Sequence, residues 1–231
     1  MTLPLVLLPG MMCDGRLFAP QIAALGRRAV MVAPVTEHDS VQALAAAILA
    51  HAPPRFALAG LSMGGIVAME VLRQAPKRVA RLALLDTNPL AETPEVQARR
   101  GPQIARALAG GLGHVMRDEM KPNYLAPGTG QGALLDLCLA MALDLGPQVF
   151  ERQSLALRDR PDQQAVLRGF GGPALVLMGE HDRLCPRIRH DLMHALMPQS
   201  RLVIVPGAGH LPTLENPTAT NVALRRWLEE E

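Results

Sequence analysis

The sequence predicts an α/β fold, with a doubly wound, mostly parallel sheet that carries an all-helical cap insertion. Two observations support this fold class: six apolar runs of strand length, and helix-like patterns between most of them. The runs are continuously apolar rather than alternating, which is typical of strands covered by helices on both faces. The predicted strands are 3–8, 29–33, 56–59, 82–85, 174–178 and 202–205.

Four segments beside these strands have the apolar spacing of helices: 40–51, 63–75, 186–197 and 218–230. Ser40 is a suitable N-cap for the first, and Asn216 with Pro217 for the last. Pro76 and Pro198 end two others.

The region from about 88 to 172 contains no strand candidate. Its helix-like pieces are 95–108, 112–121, 133–145, 147–157 and 162–167. Structureless loops of that length are rare inside compact domains, so we interpret 88–172 as an all-helical cap. Residues 1–87 and 173–231 then form the α/β core.

Composition excludes several functional classes. The 231 residues are 49% hydrophobic with a net charge of +2, which argues against disorder. Scattered basic residues and only six aromatics argue against nucleic-acid binding. No run approaches the roughly 20 apolar residues of a membrane span. The three distant cysteines, Cys13, Cys138 and Cys185, suggest neither disulfides nor a zinc site. We therefore expect a cytoplasmic protein that acts on a small molecule, and the oligomeric state stays open.

The strongest chemical signal is Gly60-Leu61-Ser62-Met63-Gly64, directly after one strand and directly before a helix. A serine on such a sharp turn exposes its Oγ, and small flanking residues allow the close passage of the chain. A glycine-rich turn without chemistry is the alternative interpretation. The strand before and the helix after favour a nucleophile.

A nucleophilic serine needs a base and an acid that orients the base. His210 follows the last strand in a glycine-containing loop, where open α/β sheets place ligand sites. Asp182 follows the preceding strand and is the first candidate for the acid. Asp86, which ends the strand 82–85, is the second, and Glu180 is too close to its strand end.

Backbone N–H groups complete the predicted site. The amide of Met63 and that of Met11, in the loop after the first strand, are the candidates for binding an oxyanion. Met12, together with Met11 and Met63, could form an adaptable apolar pocket for the acyl part of a substrate. Ordinary core packing is an equally weighted alternative for these methionines.

These residues together resemble the α/β-hydrolase superfamily. The resemblance rests on four motifs in order along nearly the whole chain: Leu8-Pro9-Gly10-Met11, Gly60 to Gly65, Gly179-Glu180-His181-Asp182, and Gly209-His210 with Leu214-Glu215-Asn216-Pro217. It implies a Ser-Asp-His triad and a helical cap after the sixth family strand. Two features depart from longer members. The frequent His-Gly of the first loop is Pro9-Gly10 here, and the N-terminal strand pair is absent.

Two weaker signals concern charge. His190-Asp191-Leu192-Met193-His194 has the i,i+4 spacing of a helical zinc motif, but no third ligand is evident, so we expect a solvated helix face. The cap holds nine basic and nine acidic residues, so a strongly anionic substrate is not required. Arg99, Arg100 or Arg117 could still bind a carboxylate, although a solvated helix face is the favoured interpretation of these arginines.

The predicted function is therefore a serine hydrolase that cleaves a small or medium carboxylic ester, lactone or thioester through an acyl-enzyme on Ser62. No cofactor and no metal are expected. The alternatives are a cofactor-free haloperoxidase or perhydrolase or a C–C bond hydrolase with the same triad, and a binding protein that retains the triad.

Overall fold

The computed structural model describes residues 2–128 and 131–229, apart from the side chains of Lys121 and Gln131. Within these residues the six predicted strands form one sheet in the order β2-β1-β3-β4-β5-β6, and every neighbouring pair is parallel. The predicted α/β class is confirmed. The strands are β1 Leu5–Leu8, β2 Val30–Val32, β3 Phe56–Leu61, β4 Val79–Leu85, β5 Ala174–Gly179 and β6 Arg201–Val205.

The central strands lie in the core of the molecule. Every residue of β1, β3 and β5 is buried, whereas the edge strands β2 and β6 are mostly half-buried. Continuous apolar runs are therefore found where helices cover both faces of the sheet, as the sequence pattern indicates.

Helices flank the sheet and fill the region between β4 and β5. Their bounds are α1 Ala19–Ala24, α2 Val41–His51, α3 Met63–Gln74, α4 Pro94–Arg106, α5 Gln131–Leu145, α6 Pro147–Arg158, α7 Gln164–Arg168, α8 Arg187–Leu196, α9 Pro212–Glu215 and α10 Pro217–Glu229. The predicted caps are confirmed, because Ser40 Oγ accepts from the Ala43 amide and Asn216 Oδ1 from the Ala219 amide. The predicted last residue of α10, Glu230, lies outside the described residues.

Between β4 and β5 every described element is helical. The predicted helix 112–121 is wrong in detail. Only Leu112–His114 forms a regular helical turn, and wide, irregular turns occupy Val115–Met120 within the predicted range and Ala107–Gly111 just before it. Gly110 breaks the helical geometry with φ 90°, and two further glycines nearby lower the helix propensity. The division into core and cap itself stays a prediction.

Length and apolar composition decide whether a helix can span a membrane. Among the described residues no single helix is both long and apolar enough to cross a bilayer. One pair, bent by 97°, would meet the length and composition only when taken together.

Candidate active site

The predicted site residues are brought together at the carboxyl edge of the sheet. Ser62 follows β3 directly, Asp182 lies in the loop after β5, and His210 lies in the loop after β6. Ser62 and His210 line one cavity of about 500 Å³. That volume is typical of a site for a small organic ligand.

Ser62 is held in an unusual backbone conformation, with φ 54° and ψ −117°. The residues two positions before and two positions after Ser62 must be glycine. A Cβ at Gly60 would lie 2.2 Å from the Gly64 carbonyl oxygen, and a Cβ at Gly64 would lie 2.0 Å from the Leu8 carbonyl oxygen. Such a conformation costs about 1–3 kcal/mol and persists only where the surrounding structure enforces it. The turn therefore presents Ser62, which is half-buried, to the cavity.

His210 and Asp182 form a buried pair. Nδ1 of His210 lies 3.0 Å from each carboxylate oxygen of Asp182, and Oδ1 also accepts from the amides of Leu184 and Cys185. Burial alone would raise the pKa of the Asp182 carboxyl, but the charge and hydrogen bond of His210 outweigh burial and lower it. Asp182 is therefore ionised and fixes one ring nitrogen of His210, which leaves the other nitrogen for chemistry in the cavity.

The predicted oxyanion donors lie on the same side of the sheet as Ser62. Met11 and Met63 both line the cavity, and neither backbone N–H donates a hydrogen bond within the described part of the chain. Met12 differs from the prediction, since its side chain is fully buried and its amide donates to Gln153 Oε1 at 2.8 Å. With φ 55° at Met12 the chain turns, so that Met11 and Cys13 line the cavity while Met12 packs in the core.

Two sets of side-chain hydrogen bonds, made by Gln153 and Glu215, connect these loops to the segment between β4 and β5, and sequence reasoning missed both. Gln153 of α6 accepts from the Met12 amide and donates to the Val35 carbonyl at 2.9 Å. Glu215 accepts from the amides of Ala126, Gly209 and Leu211 at 2.7–3.0 Å. The loop that bears His210 and the loop that bears Met11 are both anchored to the segment between β4 and β5.

Tyr124 adds further contacts between the segment before β5 and the loop that bears His210. Its carbonyl accepts from the His210 amide at 2.7 Å, and its ring centroid lies 6.1 Å from that of His210. Glu215 stood in the motif that carried the family resemblance, so a signal for it existed. Nothing in the sequence pointed to Tyr124.

Asp86, the second candidate for the acid, lies behind Asp182. It is fully buried at φ 43°, and its Oδ1 accepts from the Gly179 amide at 2.8 Å. Burial and the negative charge of Asp182 raise the pKa of the Asp86 carboxyl well above its usual range. Oδ2 of Asp86 makes no hydrogen bond of normal geometry to a described residue, and the Asp86 and Asp182 carboxyl groups approach within 4.8 Å. Asp86 therefore lies beside Asp182 without taking its place at His210.

The expectation of a solvated helix face at His190 is wrong. His190 is fully buried on α8, and neither ring nitrogen makes a hydrogen bond of normal geometry to a described residue. Burial lowers its pKa to about 4. Its sequence partner His194 instead places Nδ1 2.8 Å from Ser200 Oγ, so the pair does not share a ligand.

Two sets of three side chains among the described residues are close enough to share a cation. They are Asp182 with Cys185 and His210, and Asp182 with Asp86 and His190. Both sets need Asp182, whose oxygens already accept from His210 and from two amides. We therefore assign neither set to a metal.

Comparison with known proteins adds the family. The model of the alpha/beta hydrolase family matches residues 5–223. The chain belongs to that family. As an alpha/beta hydrolase it is similar to the thermophilic esterase from Thermogutta terrifontis, with 28% identity and a TM-score of 0.89 over 98% of this chain and 89% of that one. It shares its fold with the enol-lactonase from Burkholderia xenovorans LB400, at 21% identity and a TM-score of 0.85, over 100% and 93% of the two chains.

Curated relatives show a similar level of sequence identity. The acetyltransferase component of the acetoin cleaving system of Pseudomonas putida is 28% identical over 75% of this hydrolase and 45% of its own length. The pimeloyl-[acyl-carrier protein] methyl ester esterase of Yersinia pseudotuberculosis is 25% identical over 83% and 76%. The chain spans about half the length of the first of these relatives.

Proposed function

We propose that this alpha/beta hydrolase is a serine hydrolase that cleaves a small or medium carboxylic ester, with lactones and thioesters as related substrates. The observation that carries the proposal is that His210, held by the buried Asp182 at 3.0 Å, lines the same cavity as a serine at φ 54°. The esterases among its relatives support the same chemistry.

The reaction follows from these roles. Ser62 Oγ attacks the ester carbonyl while His210 takes its proton, and the alcohol leaves with that proton. Water then attacks the acyl-enzyme, giving its proton to His210, and the acid leaves as Ser62 regains a proton. Asp182 holds the imidazole and stabilises its charged form. The amides of Met11 and Met63 bind the oxyanion in both steps, commonly worth about 3 kcal/mol per donor.

A covalent label tests the nucleophile. A fluorophosphonate loses fluoride to an activated serine, and mass spectrometry of the digest locates the adduct. We expect one adduct on Ser62 of the wild type, none in Ser62→Ala, and much slower labelling in His210→Gln. Ser154, which is buried away from the cavity, serves as an internal control. Failure of the wild type to label Ser62 would overturn the proposal.

A further inference from the structure

The cavity that contains Ser62 has an excess of positive charge. Four arginines and two glutamates line it, a surplus of two. Three of these arginines and both glutamates belong to 88–172, a surplus of one, although that region as a whole has as many acidic as basic residues. Folding therefore places more positive than negative side chains at the cavity, although the charges cancel along 88–172. The arginines are Arg99, Arg100, Arg160 and Arg189, and the glutamates are Glu92 and Glu119.

Two of the arginines share one buried carboxylate. Arg100 contacts both oxygens of Glu92 through Nε and Nη2, and Arg160 Nη1 lies 2.9 Å from Oε1 of the same carboxylate. The side chains of Glu92, Arg100 and Arg160 are only 3%, 12% and 10% exposed. This group therefore places a net charge of +1 where water can screen it little.

Arg189 adds a second positive charge next to this group. It is half-buried on α8, and among the residues that the structure describes it has no carboxylate within ion-pair distance. Burial is the largest cause that lowers the pKa of Arg160, and the charges of Arg100 and Arg189 lower it further, against Glu92. Glu92, the carboxylate that opposes this repulsion, is already shared between Arg100 and Arg160.

The remaining carboxylate of the cavity also has its own partner. Glu119 is already engaged by Arg106, with Nη1 2.8 Å from Oε1, and accepts from Gln103. Clustered cations away from water are costly unless an anion pairs with them. An anion that entered the cavity would therefore gain more at this cluster than at the protein surface.

The cavity wall also has an apolar part. Ile66, Met120, Leu157 and Leu211 contribute to it, alongside polar residues such as Asn123. An apolar chain can lie against this wall while a charged end reaches the arginines. A neutral substrate would leave the cluster unpaired.

We propose that the substrate carries a carboxylate remote from its scissile ester, and that Arg189 and the Arg100–Glu92–Arg160 group bind that carboxylate. The proposal rests on the proposed hydrolase function for the ester, but carboxylate binding can be measured without turnover. The carboxylate can belong to the acyl chain or to the alcohol, since both share the same recognition chemistry.

Matched pairs of esters test the proposal and separate the two sources. For the acyl arm, mono-p-nitrophenyl adipate is compared with p-nitrophenyl hexanoate. For the alcohol arm, 4-acetoxybenzoate is compared with p-tolyl acetate. We expect Arg189→Gln to lower kcat/KM for the charged ester about tenfold or more in one arm, as loss of a charge-assisted hydrogen bond implies, and to leave the neutral ester within about twofold.

Two further variants act as controls. Arg187→Gln, on the same helix, removes an arginine that is 58% exposed and paired with Asp191, and we expect no change in either arm. Arg189→Lys keeps the charge and should fall between wild type and Arg189→Gln. An equal effect of Arg189→Gln on charged and neutral esters in both arms would overturn carboxylate recognition.

Calorimetric titration with adipate and with 4-hydroxybenzoate distinguishes this failure from failure of the proposed function. We expect one of these carboxylates to bind Ser62→Ala, and binding to weaken about tenfold when Arg189→Gln is added. If no ester is hydrolysed and Ser62 is unlabelled, the hydrolase function fails, yet binding lost with Arg189 would still support the carboxylate site. No binding of either carboxylate would overturn it.

Discussion

Two aspartates lie beyond the carboxyl ends of neighbouring strands, and each lies near a histidine, yet the two pairs differ in protonation and in access to the cavity. Asp182, beyond β5, accepts from His210, which lines the cavity. Asp86, beyond β4, lies within 4.8 Å of a ring nitrogen of His190, and both of these side chains are fully buried.

The difference shows how environment assigns roles to the same residue types. The pKa of Asp182 is lowered by its partner, which favours the ionised carboxyl, and that of Asp86 is raised by burial, which favours the neutral one. A charged acid beside a histidine in a cavity can support proton transfer. A neutral acid beside a fully buried histidine has no access to a substrate, so it cannot take part in proton transfer in the cavity.

The largest expected effect in this comparison comes from Asp182→Asn. An amide cannot stabilise the imidazolium and favours the wrong tautomer of His210, so we expect kcat/KM to fall by about 10⁴-fold. Initial rates with p-nitrophenyl acetate measure the loss, and thermal unfolding followed by circular dichroism shows that the variant is folded.

Asp191→Asn is the matched control for this substitution. It removes a carboxylate from the exposed side of α8, where Asp191 pairs with Arg187. We expect its activity to equal that of the wild type. If Asp182→Asn retained more than about a tenth of the activity, the distinction between the two aspartates would collapse and Asp86 would become the acid.

His190 sharpens the comparison through the pH dependence of stability. Its folded-state pKa is about 4 and its unfolded value 6.5. As pH falls from 6.5 to 4, the unfolded chain binds a proton that the folded chain does not, so the free energy of unfolding decreases. We expect up to about 3 kcal/mol of this decrease to disappear in His190→Gln, measured by urea unfolding at pH 7, 5.5 and 4.

The solvent-exposed His181 provides a control for that series. His181 is 45% exposed, so His181→Gln measures the effect of the same substitution where no buried imidazole is removed. Parallel curves for His190→Gln and wild type would contradict a neutral, buried His190.

The sequence contained enough information for the sheet and for the residues directly after its strands. Ser62, Asp182 and His210 each follow an apolar run, and parallel strands bring their carboxyl ends to one edge. The burial of His190 could also have been predicted, since His190, Met193 and Met197 recur at the three- and four-residue spacing of one helix face, and all are buried.

Contacts between distant segments could not be read in this way. Gln153 binds the amide of Met12 from 141 positions away, and Glu215 binds that of Ala126 across 89 positions. Local patterns do not record which of many glutamines meets a given amide. The excess of positive charge around Glu92 could not be predicted for the same reason. A sum of charges along 88–172 does not show which of the charged side chains line the cavity.

Of the two aspartates, Asp86 should affect activity less when replaced by asparagine. Asparagine has the shape of a protonated carboxyl, so its oxygen can accept from the Gly179 amide and its NH₂ group places no negative charge beside Asp182. We expect kcat/KM within about threefold of the wild type, against about 10⁴-fold for Asp182→Asn. Asp86→Ala leaves the Gly179 amide unpaired, which costs about 1–3 kcal/mol in the free energy of unfolding.

The same variant tests protonation directly. Because the pKa of Asp86 is raised on folding, the wild type loses stability as pH rises above the ordinary value of 3.8, while asparagine does not titrate. The stability of Asp86→Asn relative to the wild type should therefore increase from pH 4 to pH 8 in urea unfolding. A difference that stayed constant with pH, or a loss of activity as large as that of Asp182→Asn, would mean that Asp86 is ionised in the fold. The two strand ends would then hold two charged acids rather than one charged and one neutral acid.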